Sequence, residues 1–164
     1  MKLVSLGLLG LVLAAGLAFT SVGAQEEEHQ EEFQLSPQLM EVLRTEMRAL
    51  LAGVQSLPAG MAMGDWERIA ETSARISSSY ILEQKLTSAQ REELATALPD
   101  YFKRLDAAFH READKLGAAA MDHDAQLAAF HYYRLMETCI SCHSAYAVSR
   151  FPGFAADGNG GHGQ

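Results

Sequence analysis

Two cysteines in 164 residues are too few for a disulfide scaffold. Basic residues are also scarce. Thirteen Lys and Arg against 21 Asp and Glu leave a formal net charge of −8. That balance argues against nucleic-acid binding, which needs clustered cations on phosphates. Prolines number four and tryptophan occurs once. Between residues 36 and 152 there is no strand-like alternation and no Asn-Gly hairpin signal, so a β-rich fold is not expected. No Ser-His-Asp set or isolated carboxylate pair stands out from ordinary surface charge, and an enzyme is not expected either. Beyond residue 19 no segment is apolar enough to span a bilayer.

The two ends differ from the middle. Lys2 precedes the apolar run LVSLGLLGLVLAAGLAF, and TSVGAQ follows, with Val22 and Ala24 at the −3 and −1 positions of a cut. Residues 1–24 are therefore expected to be a secretory signal peptide, leaving no stable membrane span after cleavage. Export places the cysteines in an oxidising space, a bacterial periplasm. Residues 25–35, QEEEHQEEFQL, are expected to be an acidic flexible arm, and 153–164 a disordered Gly-rich tail in which His162 stands alone.

Residues 36–152 read as one helical domain. Ser36 is a good N-cap and Pro37 suits a first helical turn. Leu39, Met40, Leu43, Met47, Leu50, Leu51 and Val54 then recur at three- and four-residue steps, with Pro58 and Gly60 expected to end the helix. Asp65 can cap a second helix carrying Trp66, Ile69, Ala70, Ser73, Ile76 and Tyr80 on one face. Thr87 and Gln90 form a capping-box pattern for a short helix closed by Pro99. Phe102, Leu105, Ala108, Phe109, Ala113 and Leu116 mark a third long helix, with Gly117 and Asp122–Asp124 expected at the turn after it. A fourth carries Leu127, Phe130, His131, Leu135, Thr138, Cys139, Cys142 and Tyr146 until Pro152. The expected fold is all-α, an antiparallel up-down-up-down four-helix bundle. In it the start of the first helix lies at the same end as the finish of the last.

Both cysteines fall in CISCH, residues 139–143, late in the last helix. Cys139, Cys142 and His143 stand at i, i+3 and i+4, so all three project from one face. Three chemistries compete. A redox dithiol wants its first cysteine at a helix N-terminus after a strand, and this pair has neither. Structural zinc wants four ligands, and no second pair exists, since His110, His123 and His131 are scattered. Covalent haem uses this very spacing, two thiols as thioether anchors and the next histidine as iron ligand. Motif and export together favour haem.

With these residues in place, the chain resembles the class II c-type cytochromes, cytochrome c′ and its low-spin relatives. The likeness lies in CISCH close to the C-terminus, with GDWERIAETSARI and HSAYAVSRF as less specific matches. It implies one haem c held by Cys139 and Cys142 with His143 as proximal ligand. Tyr146 matches the family's aromatic three residues after the histidine. The arginine that usually follows is replaced by Ala147, the nearest arginine being Arg150, and Arg44 on the first helix is the candidate propionate partner. Family members often dimerise through their first two helices, so a homodimer is in keeping with the resemblance.

The sixth iron position decides the function. Met40 and Met47 lie seven residues apart on the first helix, and a thioether there raises the haem potential and makes an electron carrier of the protein. Met40 is the first choice and Met47 the reserve. If neither ligates, the iron is five-coordinate, as in cytochrome c′ proper, and suited to nitric oxide or carbon monoxide. Met61, Met63, Met121 and Met136 read as packing or loop residues. His110 and His131 read as hydrogen-bonded, partly buried histidines, and Trp66 as core. The expected protein is a periplasmic monohaem cytochrome passing single electrons between redox partner proteins.

Overall fold

The computed structural model describes residues 33–80 and 82–155, with residues 83 and 84 described by their backbone only. The expected signal peptide, the arm up to residue 32 and the tail from residue 156 lie outside the described residues. Within them the chain is all-α: α1 Pro37–Met63, α2 Trp66–Ser77, α3 Leu82–Lys85, α4 Ser88–Ala97, α5 Asp100–Met121 and α6 Ala125–Tyr146, then a 3-10 turn at Pro152–Phe154. None of the described helices is long and apolar enough to cross a membrane.

Local chemistry sets most of the boundaries. The Ser36 hydroxyl accepts the Leu39 N–H at 3.4 Å, and Pro37 occupies the first turn of α1. Asp65 caps α2 through the Arg68 N–H. Thr87 and Gln90 form a full capping box on α4. Asp124 caps α6 by accepting from Gln126 and Leu127.

Four features differ from the sequence expectation, the first being that α2 stops at Ser77 and leaves Tyr80 beyond the helix rather than on its face. α1 continues through Pro58 and Gly60 to Met63 and stops only at Gly64, whose φ of 68° is left-handed. Continuation lays Gly60 against Ile69 of α2, a contact that offsets the backbone hydrogen bond an interior proline forfeits. Gly117 is no turn residue. It lies buried inside α5, where a Cβ would meet the Ser73 side chain at 3.3 Å, so its role is a close approach of α5 to α2. α6 ends at Tyr146, before Pro152, and the chain turns back over its last turn.

The core is built from Leu50, Val54 and Leu57 of α1, Ile69 and Ile76 of α2, Phe109, Ala113 and Leu116 of α5, and Ala128 and Leu135 of α6. Alanines at 113, 119, 120 and 128 let α5 approach both neighbours closely. α5 packs extensively on α2 and on α6, and α1 packs on α2. α1 and α6 meet over a far smaller area.

Two further features fix the α1 end. Glu46 is fully buried, and its carboxylate accepts the Tyr80 N–H at 2.8 Å and the Leu82 N–H at 3.3 Å, holding the α2–α3 connection where Ser79 takes a φ of 53°. The Glu93 carboxylate of α4 accepts from the backbone N–H of Ser36 and, at 3.0 Å, from its hydroxyl. So α4 is tied to the first turn of α1.

Candidate cofactor site on the last helix

Cys139, Cys142 and His143 share the inner side of the final two turns of α6, all partly buried. Cys139 packs against the core cluster. Both thiols are free. Burial pushes the Cys139 thiol up to about 11. Burial, with lesser repulsion from Asp106 and Cys139, pushes Cys142 up to about 12. Neither is a thiolate near neutral pH. The negative end of the α6 dipole lies close by and favours the same protonated state. This is the reverse of the setting that activates a redox dithiol.

Burial lowers the pKa of His143, so its imidazole is neutral at pH 7 and offers a nitrogen lone pair. The ring stacks on Phe151 at 4.6 Å with 22° between planes, and Phe154 lies 6.3 Å away. Among the described residues it makes no hydrogen bond or ion pair. Phe151 and Phe154 arrive there because the chain reverses after Tyr146. The Arg150 guanidinium sits over Phe151 at 5.8 Å. Arg150 is thus close to the His143 side, whereas Arg44 is engaged with Glu41 at 3.8 Å on the exposed side of α1.

The start of α1 comes to this same end of the molecule. Phe33 packs on Tyr146 at 5.7 Å and on Phe102 at 5.2 Å, and Tyr146 packs on Phe102 and Tyr101. Phe33 is four residues before α1, and Tyr146 is three after His143. Met40 therefore lies in the turn of α1 nearest the Cys-x-x-Cys-His segment, half-buried. Met47 and Leu51, two and then three turns further along, share its side of the helix and are 39% and 56% exposed. The fully buried stripe of α1 is a different one, Leu39, Glu46, Leu50 and Leu57. So α1 carries apolar surface beyond what its protein neighbours cover.

His110 and His131 take the structural roles expected of them. His110 Nδ1 donates to the Ile76 carbonyl at 2.9 Å. His131, buried, lies 2.8 Å from the Glu112 carboxylate, which also accepts from Lys115. Burial raises the Glu112 pKa, but the hydrogen bonds from Lys115 and His131 outweigh it and leave it lowered.

The donor set fits a covalently held haem. Two protonated, unpaired thiols and a neutral imidazole stand on one helix face, with uncovered apolar surface on the adjoining helix. It fits zinc poorly, since no three His, Cys, Asp or Glu side chains converge among the described residues. Sequence reasoning missed Phe151, Phe154, Asp106 and Phe33. The proline-bounded aromatic pair after the motif was the one signal available for the first two.

No family model, curated protein or solved structure matches this chain.

Proposed function

We propose that this chain is an exported c-type cytochrome of the class II kind, an antiparallel four-helix bundle holding one haem c and passing single electrons in a periplasm. The bundle reading is supported by the packing order α1–α2–α5–α6, by the α1–α6 seam that closes it and by the meeting of Phe33 with Tyr146. The observation that carries the functional reading is the placement of Cys139, Cys142 and His143 on one face of α6, partly buried, with the imidazole neutral. Cys139 and Cys142 are the covalent anchors and His143 the proximal ligand. When bound, haem supplies a one-electron iron couple. The chain's own residues orient and shield it: Phe151 and Phe154 fix the imidazole plane, Met47 and Leu51 offer apolar cover, and Met40 is the candidate sixth ligand. No catalytic residue is assigned.

A second reading is a five-coordinate, gas-binding cytochrome c′. It is favoured by Met40 being only half-buried while its neighbour Leu39 is fully buried. One experiment tests both readings. The mass of the mature chain reports covalent attachment, and loss of the added mass in Cys139→Ser/Cys142→Ser assigns the anchors. The reduced spectrum, with and without carbon monoxide, then reports coordination. A low-spin spectrum indifferent to carbon monoxide, becoming high-spin in Met40→Ala, is the expected result. A native high-spin spectrum that responds to carbon monoxide selects the gas-binding reading. A mature chain with no added mass overturns both.

A further inference from the structure

The opposite end of the molecule carries a second concentration of soft donors. There the connections α1–α2 and α5–α6 come together, because Trp66 at the start of α2 stacks on His123 between α5 and α6, 5.8 Å centroid to centroid and 20° between planes. Trp66, Glu67, Glu71, Met121 and His123 line one open depression of about 340 Å³.

Three things about it are not explained by packing. Met121 is 71% exposed, although a long thioether chain ordinarily gains by burial. His123 is exposed and holds a left-handed backbone, φ 56°, immediately after the helix. That conformation brings a residue of strong ligating power to the depression where glycine would be the least strained choice. Met63, 66% exposed, closes α1 three residues before Trp66, so a further thioether stands on the neighbouring connection.

We propose that this depression binds a soft monovalent cation, Cu(I), through the His123 imidazole and the Met121 thioether, with Trp66 as its aromatic floor. Thioether and imidazole donors together select Cu(I) over hard cations. With the two rings nearly parallel, a cation held in the imidazole plane runs alongside the indole face, where the ring quadrupole attracts it. Glu67 and Glu71 add negative potential at the rim without serving as ligands. Zn(II) is a poor fit, because no three His, Cys, Asp or Glu side chains gather among the described residues. The site is independent of the haem reading.

Trp66 is the only tryptophan in the chain, so indole emission reports this place alone. The test uses the full chain with Cys139→Ser and Cys142→Ser, which removes the thiols that would otherwise take the metal. Cu(I), kept reduced under nitrogen, is added while bound copper and indole emission are followed together. One equivalent should bind and change the emission. Met121→Leu and His123→Asn, the latter chosen because asparagine tolerates the left-handed backbone, should each weaken binding more than about tenfold while the circular dichroism is unchanged. The proposal fails if no copper binds, if it binds without an emission change, or if either variant binds as the parent does.

Discussion

Cys139 is held as a thiol by burial, and Cys142 by burial with lesser repulsion from Asp106 and Cys139, and this has a kinetic consequence. With pKa values of about 11 and about 12 against an ordinary 9.0, the thiolate fraction at pH 8 is reduced about 100-fold at Cys139 and about 1000-fold at Cys142. In chain produced without haem, alkylation by iodoacetamide should be about 100-fold slower at Cys139, and slower still at Cys142, than in urea-unfolded chain. It should accelerate roughly tenfold per pH unit from 7 to 10, because the reactive form is the minor one throughout. Equal rates in folded and unfolded chain, or a plateau below pH 8, would mean an activated dithiol and would return the redox reading to contention. Buried, protonated thiols suit anchors that await attachment. They are also poor nucleophiles for adventitious disulfide exchange.

Elements show how far a sequence can be read. Asp65, Thr87 and Gln90 act within three residues of themselves, and the structure makes each of those caps. Cys139, Cys142 and His143 are equally legible because a contiguous motif on a helix has its geometry set by the helical repeat. Glu46 was not legible. It looks like a surface charge, yet its partners, Tyr80 and Leu82, are 34 and 36 residues away. Pro58, Gly60 and Gly117 were misread for the same reason. Local propensity ends a helix at each, and distant contacts carry the helix through. Gly60 offers a direct check. A Cβ there would sit 2.9 Å from Cγ1 of Ile69, which is fully buried and cannot swing away. Alanine in a helix interior normally gains up to about 1 kcal/mol over glycine. Overpacking a core costs about 1–3 kcal/mol. Gly60→Ala should therefore lower stability by about 1 kcal/mol net, read as a reduced urea midpoint at constant m. A stabilised variant would show that the α1–α2 crossing is looser than these distances state.

At the scale of the molecule the helices are unequally held. α5 is gripped by both α2 and α6, while α1 has one full neighbour and a thin seam. Local opening follows contact density, so α1 should be the first long helix to open when the chain carries no haem. Its first half, from Met40 to Leu51, holds half-buried and exposed apolar residues and should open most easily. A group that binds only the closed form stabilises it by mass action, and covalent attachment makes that stabilisation permanent. If the proposed haem is attached, hydrogen exchange on the haem-free and mature chains separates the possibilities. In the haem-free chain, amides of residues 43–51 should exchange faster than those of residues 109–119 in α5. Attachment should slow the α1 set by at least about tenfold and the α5 set by less. The contrast is specific, because a cofactor seated elsewhere would protect other amides and a merely global stabilisation would slow both sets together. Uniform slowing would mean a global stabilisation with no special contact to α1, and protection centred on other amides would leave Met40 neither ligand nor cover.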